Sequence, residues 1–336
     1  MKALVCERFG SVHDVSVQSI PEPALADPHA VTIAVEYASV SHATGLMVAG
    51  QYQRRPPLPF VPGTEAVGRV VACGDAVTRL RPGDRVVAIA DWGCFAERVT
   101  VPEYTVYGVP DALPSTVALP VPISYGTAYC GLVWRCALRP GDTVLVLGAG
   151  AGVGLAAVEI ARELGATVIA CASTEAKRAD ALRRGATHAV APADLASAVK
   201  ALTGGRGADV VVDPVGGELF QQALRAAAAN ARILSIGFAS GTIPQAPVNL
   251  LLVKNLTLHG FFFGRYIGWT PANERAQHAA ALQDVMATLF DWAAQGKLAP
   301  TVSATYPITG LGDALAALES RQVVGKVAIK IKETET

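Results

Sequence analysis

Gly148-Ala-Gly-Ala-Gly-Val-Gly154 stands between a short apolar run and an amphipathic stretch. Phosphate chemistry uses such a turn, because the free N–H groups and positive end of a helix attract a pyrophosphate while small residues let the backbone approach it. The spacing departs from the strict dinucleotide fingerprint: Ala149 and Ala151 occupy the first two glycine positions, and only Gly154 matches the third. By itself the loop is a weak signal, and the competing reading is a glycine-rich strand-to-helix turn with no ligand.

A second group lies at the end of the next apolar run. NAD sites place an Asp or Glu there, roughly 20 residues past the glycines, to hydrogen-bond the ribose 2′-OH. Here the place reads Ala172-Ser173-Thr174, with Lys177 and Arg178 a turn later. Two hydroxyls and two cations without a carboxylate suit a 2′-phosphate, since a charge-assisted contact is roughly twice as strong as a neutral one. NADPH rather than NADH is the expected cofactor. The alternative is that Lys177 and Arg178 are the solvated face of a helix starting near Glu175.

The elements that must position these groups follow from periodicity. Thr143-Val-Leu-Val-Leu147 has the composition of a strand buried on both faces. Val153, Ala156, Ala157, Ile160, Ala161 and Leu164 make one helical stripe, with Glu159, Arg162 and Glu163 expected on the opposite, polar side. Gly165 closes the helix and residues 167–172 form a second strand, completing a βαβ unit. The alternation continues: helix 175–184, strand 188–190, helix 195–202, strand 209–213, helix 218–228, strand 231–237 and strand 255–263. Alternating strands and helices predict a doubly wound parallel sheet, with ligand outside its carboxyl ends, where 148–154, 213–217 and 237–241 converge.

Before this region the pattern changes. Short β-rich segments at 2–6, 30–37, 66–73, 85–90 and 96–101 are separated by Pro- and Gly-bearing turns. After it come a long helix at 273–295, a helix at 311–320 and a last strand at 326–330. The expected division is a β-rich domain made of 1–122 and 266–336, a nucleotide domain of 123–265 inserted into it, and a cleft between the two.

Composition narrows the function. The 336 residues are 51% hydrophobic and 17% charged, with 28 acidic and 28 basic side chains. A zero net charge offers no nucleic-acid-binding face and no attraction to an anionic membrane. No run reaches the roughly 18 uninterrupted apolar residues of a spanning helix, and the beginning lacks a signal peptide's apolar core, so the expected location is cytoplasmic. The six cysteines, without C-x-x-C spacing, indicate neither a zinc knot nor a disulfide framework.

Several motifs together carry a resemblance: Leu58-Pro-Phe-Val-Pro-Gly-Thr-Glu-Ala-Val-Gly68, Arg81-Pro-Gly-Asp84, the 148–154 loop, Asp213-Pro-Val-Gly-Gly217, Ile236-Gly-Phe-Ala-Ser-Gly241, Leu252-Val-Lys-Asn255 and Gly325-Lys-Val327. Along essentially its full length the chain resembles the medium-chain dehydrogenase/reductase superfamily, in its zinc-independent, zeta-crystallin-like quinone oxidoreductase branch. The resemblance implies an α/β protein with a Rossmann domain and a GroES-like catalytic domain, NADPH as hydride donor, and a homodimer. Zinc relatives supply Cys-His and Gly-His-Glu to their metal. Here those places read Ser41-His42 and Gly63-Thr64-Glu65, so no metal ligands are expected, and His42 is expected to be a cleft or packing residue.

The implied activity is hydride transfer to a quinone or to the β-carbon of an enone, with substrate placement replacing metal polarisation. In the family an Asn occupies the Ser41 position, an Asp often that of Thr44, and a Tyr that of Tyr52. Only the tyrosine is kept. Tyr52 is therefore the candidate for orienting substrate or donating a proton, with Ser41 as a shorter hydrogen-bonder; the other reading of Tyr52 is that it packs over the cleft. For the cofactor the resemblance assigns Ala149, Gly152, Val153 and Gly154 to the pyrophosphate, Ser173 and Lys177 to the 2′-phosphate, Phe238 and Phe262 to the nicotinamide through their backbones, and Thr127 to a further contact. A family tyrosine that grips the phosphate is replaced by Pro192.

Two other functions compete. An enoyl-thioester reductase of acyl or polyketide metabolism uses the same hydride geometry and needs a basic patch for carrier phosphates, for which Gln53-Arg54-Arg55 is the candidate. A non-catalytic NADPH-binding protein, structural or RNA-binding, is the alternative of another class. The apolar stretch 255–263 is the expected dimer seam, because an exposed strand of that composition otherwise invites aggregation.

Overall fold

Apolar runs without alternation need cover on both faces, and the structure, a computed structural model that describes residues 1–150, 152–320 and 323–331, provides it. The strands in chain order are β1 (Lys2–Val5), β2 (Ser16–Ser19), β3 (Ala30–Val40), β4 (Glu65–Cys73), β5 (Arg85–Ile89), β6 (Arg98–Pro102), β7 (Val106–Gly108), β8 (Thr143–Leu147), β9 (Thr167–Cys171), β10 (His188–Val190), β11 (Ala208–Asp213), β12 (Ala227–Ser235), β13 (Thr257–Gly260), β14 (Val302–Pro307) and β15 (Lys326–Lys330). The α-helices are α1 (His42–Val48), α2 (Ser115–Ala118), α3 (Gly126–Cys130), α4 (Gly152–Glu163), α5 (Glu175–Arg183), α6 (Leu195–Leu202), α7 (Gly217–Ala226), α8 (Val248–Lys254), α9 (Arg275–Ala294) and α10 (Leu311–Glu319).

The chain forms two units. One comprises Met1–Ile123, Gly264–Gly296 and the stretch from Pro300 onward; the other comprises Ser124–Phe263 and Lys297–Ala299.

The second unit is a six-stranded sheet in the order β10-β9-β8-β11-β12-β13. Every pairing in it is parallel. All five residues of β8 are buried, as its unbroken apolar composition requires, and Leu145, Leu147, Ile169, Val211 and Ile233 share one core cluster. The expected doubly wound α/β fold is therefore present. Several boundaries shift by a residue or two, and two differ more: α7 stops at Ala226, because 227 and 228 join β12, and β13 is confined to Thr257–Gly260. A run of alanines carries no periodicity that separates a helix end from a strand start.

The first unit is built on the mostly antiparallel sheet β14-β15-β3-β4-β5-β7, with β6 also paired to β3 and a separate β1–β2 ladder. The final strand β15 runs antiparallel to β3 and parallel to β14. Val31, Ile33, Val86, Phe95, Val327 and Ile329 belong to one core cluster.

Among the described residues one helical stretch, Ser115–Arg135, is long and apolar enough to cross a membrane, and its apolar part is 72% buried within the protein. Two π-helical turns, Val121–Tyr125 and Gly131–Arg135, interrupt it. All six cysteines are free. Burial pushes the Cys136 and Cys171 thiols up to about 12, which leaves them inert packing groups.

Candidate functional site

In the second unit the three glycine-bearing loops meet at the carboxyl ends of β8, β11 and β12. A Cβ on Gly148 would lie 2.9 Å from Val215 and 3.6 Å from Pro214. The 213–217 and 237–243 loops are zipped by main-chain bonds from Ala239 to Pro214, Ser240 to Val215 and Gly217 to Thr242, at 2.9–3.1 Å. Asp213, at the end of the central strand β11, fixes this arrangement: its Oδ1 accepts from the Val215 and Gly216 amides at 2.8 Å each. Its Oδ2 is buried without a partner. Burial raises the Asp213 carboxyl above its ordinary value, and the two amide bonds act in the opposite direction.

The phosphate loop explains its own composition. Gly148 and Gly152 have φ of +61° and +51°, a region costly for other L-residues. Gly154 needs its hydrogen for a different reason, since a Cβ there would stand 2.2 Å from the Gly148 carbonyl oxygen. The one position matching the fingerprint is thus the one where helix and strand pack closest. Gly152, Val153 and Gly154 form the first turn of α4, whose amides lack partners within the helix. Ala149 is different: it is buried, and its amide donates to the Cys171 carbonyl at 3.0 Å, so it supports the loop from beneath and has no N–H to offer a phosphate. Ala151 lies outside the described residues.

At the end of β9, Ser173 and Thr174 are exposed, and Thr174 caps α5 by accepting from the Lys177 amide at 3.3 Å. The Lys177 side chain crosses the phosphate loop, since a Cβ on Gly150 would come within 2.5 Å of its Cδ. Lys177 is therefore part of the loop's wall, which a merely solvated helix face would not require. Arg178 instead donates to the Ala172 carbonyl at 3.0 Å and to Glu175 at 2.7 Å.

Phe238 is 44% exposed and its ring edge lies 3.1 Å from where a Gly216 Cβ would be, so it belongs to the loop cluster. Phe262 is 40% exposed between the buried Phe261 and Phe263. Thr127 is buried within α3. At Gly148, Gly150 and Gly154 the loop has no room for a Cβ, so it presents bare backbone with the Lys177 side chain across it, a shape suited to a pyrophosphate and a neighbouring phosphate monoester.

Glu159 departs from the expected polar face of α4. It is 1% exposed and holds Arg184 Nη1 at 2.6 Å, the Tyr125 hydroxyl at 3.1 Å and the Ala299 amide at 2.7 Å. Helical periodicity placed it opposite the apolar stripe, but distant segments cover that side.

In the first unit Ser41 is the N-cap of α1, its amide bonded to Thr44 Oγ1 at 3.2 Å and the two hydroxyls 3.4 Å apart. His42, expected to be a cleft or packing residue, is exposed. Tyr52 is half-buried against a cluster of Cys6, Met47, Val48 and Phe60, together with Phe9 and Trp92. Burial raises its hydroxyl above the ordinary tyrosine value, partly opposed by the Arg54 guanidinium and a hydrogen bond with Gln53. In the 53–55 segment Arg54 pairs with Asp91 at 3.1 Å, and the exposed Arg55 lies 4.7 Å over the Phe9 ring.

A buried group that the sequence reading did not assemble lies on β3, β4 and β15. Glu65 is fully buried and accepts from Ser39 Oγ at 2.7 Å, Lys326 Nζ at 2.9 Å and the Ile123 amide at 2.9 Å. Glu65 and Lys326 each lie in one of the motifs that carry the family resemblance, but nothing local pairs them, because they come together only through sheet pairing.

Two family models match the chain: the alcohol dehydrogenase GroES-like domain over 27–111 and the zinc-binding dehydrogenase over 152–281. The chain is 34% identical over 334 residues to quinone oxidoreductase-like protein 2 of Rattus norvegicus, covering 98% of this chain and 92% of that protein. It belongs to the quinone oxidoreductase branch of the medium-chain dehydrogenases/reductases. The quinone oxidoreductase-like protein 2 homolog of Nematostella vectensis is 37% identical over 307 residues, 90% of this chain and 82% of that one. A mycobacterial protein solved in complex with NADPH superposes with a TM-score of 0.88 at 28% identity, covering 98% of this chain and 100% of that chain.

The name of the second family model raises the question of zinc in this branch member. The donor set does not fit a zinc site. Glu65 is committed to Lys326, Ser39 and a main-chain amide, His42 points to solvent exposure, and Ser41 is a helix cap. Among the described residues, no three His, Cys, Asp or Glu side chains cluster as metal ligands.

Proposed function

We propose that this protein is an NADPH-dependent, zinc-independent reductase that transfers hydride to a quinone or an activated alkene. The observation that carries the reading is Lys177 lying across Gly150 of the phosphate loop, at a strand end that has no carboxylate. The NADPH bound to the mycobacterial relative supports it.

In this reading the first-turn amides of Gly152, Val153 and Gly154 bind the pyrophosphate. Ser173 and Lys177 hold the 2′-phosphate, while Phe238, seated on Gly216, and Phe262 flank the nicotinamide; Thr127 supplies a further contact. Bound NADPH supplies the hydride. Tyr52 orients the acceptor through its hydroxyl, which is protonated at neutral pH and donates a hydrogen bond, while burial, by raising its value, makes it the weaker proton donor. Ser41 adds a second hydroxyl shared with Thr44.

The active form is proposed to be a homodimer. Edge strand β13 exposes Leu258, and α8 exposes Val248, Leu252 and Val253, each 72–76% open. An edge of this composition suits a second copy of itself.

The deciding experiment follows NADPH oxidation, with NADH beside it, using an ortho-quinone, a simple enone and an enoyl-CoA, with and without a chelator. Chelator-insensitive turnover of the quinone or enone with NADPH is expected. A clear preference for the thioester transfers the protein to acyl metabolism, and tight NADPH binding without oxidation by any acceptor makes it a non-catalytic binder.

A further inference from the structure

Arg54 occupies an unusual place in the first unit. Its guanidinium carbon lies 5.6 Å from the Trp92 ring centre and 5.9 Å from that of Trp269. Stacking on two indoles fixes the plane of the group at little cost in hydrogen-bonding capacity, because the N–H donors point outward in that plane. The side chain remains 21% exposed.

The charges around it do not balance. Asp91 Oδ1 takes both Arg54 at 3.1 Å and Arg275 at 2.8 Å. Arg275 is itself buried and satisfied further by the Asn273 side chain at 2.8 Å. Two guanidinium groups thus share one carboxylate, leaving one positive charge over. The other ionisable groups on the 264–278 segment form their own set: Arg265 and His278 both address Glu274, at 2.8 and 3.7 Å.

Hydrogen-bond acceptors are also short. Trp269 Nε1 and Thr270 Oγ1 are both buried without a partner. Native proteins leave few such groups unmatched, and each one invites an explanation. The segment that stacks on Arg54 is therefore rich in donors and carries one net positive charge. Trp92, which carries Arg54 on one face, also packs in the cluster that holds Tyr52.

We propose that Arg54, framed by Trp92 and Trp269, is the recognition residue for the acceptor substrate, and that this substrate carries a carboxylate beside its reducible enone or quinone group. The proposal rests on the reductase reading, with Tyr52 at the acceptor. A planar guanidinium fork matches a carboxylate through two parallel bonds. A single surplus charge suits one carboxylate, whereas the several phosphate charges of a thioester carrier call for more cations than this segment has.

The test uses the full-length protein with NADPH and a matched pair of acceptors: an enone joined through a saturated linker to a carboxylate, and its methyl ester. Charge then differs while reactivity stays the same. The native protein should prefer the acid by about tenfold or more in kcat/KM, through KM, the size expected of a charge-assisted contact. Arg54→Gln should bring the acid-to-ester ratio to near one, and Arg54→Lys should restore part of it. Equal use of acid and ester by the native protein overturns the proposal, as does an Arg54→Gln variant that preserves the ratio.

If neither acceptor is reduced, the reductase reading has failed, and binding then decides the carboxylate site separately. A saturated keto acid should shift the native protein's tryptophan fluorescence saturably while its methyl ester does not. Identical responses to the two compounds overturn the proposal.

Discussion

Gly154 stands against Gly148 so closely that a single added methyl group would meet the Gly148 carbonyl oxygen at 2.2 Å. The end of β8 and the start of α4 are locked together by the absence of a side chain. Gly154→Ala should therefore push the helix start away from the loop and destabilise the protein by about 1–3 kcal/mol, as overpacking of a tight contact does. Cofactor affinity should fall with it. Thermal unfolding and an NADPH titration check both; an alanine variant with native stability and affinity removes the argument for close packing.

Lys177→Ala should weaken NADPH binding by about 1.5–3 kcal/mol, the range for a hydrogen bond to a charged group, while changing NADH binding little. Arg178→Ala should have a smaller effect, because Arg178 is turned to the Ala172 carbonyl and Glu175. Parallel titrations with the two cofactors decide it. Equal losses for NADPH and NADH would show that Lys177 shapes the loop without touching the 2′-phosphate.

Asp213 gives a pH dependence of definite sign. Its folded carboxyl is raised above the ordinary value of 3.8, chiefly by burial. A raised folded value means that the contribution to stability is fully present below the unfolded value and is lost as pH rises through the folded one. Between those two values the native protein should lose stability relative to Asp213→Asn, which has no charge to desolvate. Denaturant unfolding of both proteins across that acidic window measures the difference; parallel curves refute it.

Glu65→Gln should cost about 3–5 kcal/mol, because it leaves the buried Lys326 ammonium without a counter-charge. Glu65→Leu combined with Lys326→Met should recover much of that loss. A double-mutant cycle in urea reads the coupling, and additive effects would mean that the pair does not act as a unit.

Leu258→Lys, on the exposed edge strand β13, should shift the protein toward the monomer at micromolar concentrations without unfolding it. Mass in solution by light scattering reports the change. A native protein that is already monomeric defeats the dimer proposal.

Local patterns made the nucleotide-binding unit legible. Thr143–Leu147 could be read as a buried strand because five residues without a charged group admit few alternatives. The turn, α4 and β9 followed from spacing alone. In the first unit α1 was not foreseen: it is short, contains Gly45, and owes its stability to Met47 and Val48 packing on Cys6 and Phe60. Likewise α8 carries apolar residues on both sides, with Leu250 and Leu251 against the core and Val248, Leu252 and Val253 exposed, so no periodic face marks it as a helix. β14 alternates cleanly but acquires a partner only when β15 arrives beside it.

The sequence by itself determined the phosphate loop and the missing carboxylate at the end of β9, because these depend on residues close together in the chain, and the family, because each of its motifs is a contiguous stretch. Tertiary structure alone decided that Glu159 is a buried hub, that Ala149 spends its amide on the sheet, that Glu65 is bound by a lysine 261 residues away, and that Arg54 and Arg275 divide one aspartate. Periodicity tells which side of an element is apolar. Whether a charge is covered, and what pairs with it, depends on segments distant in the chain, and those are brought into place only by the fold.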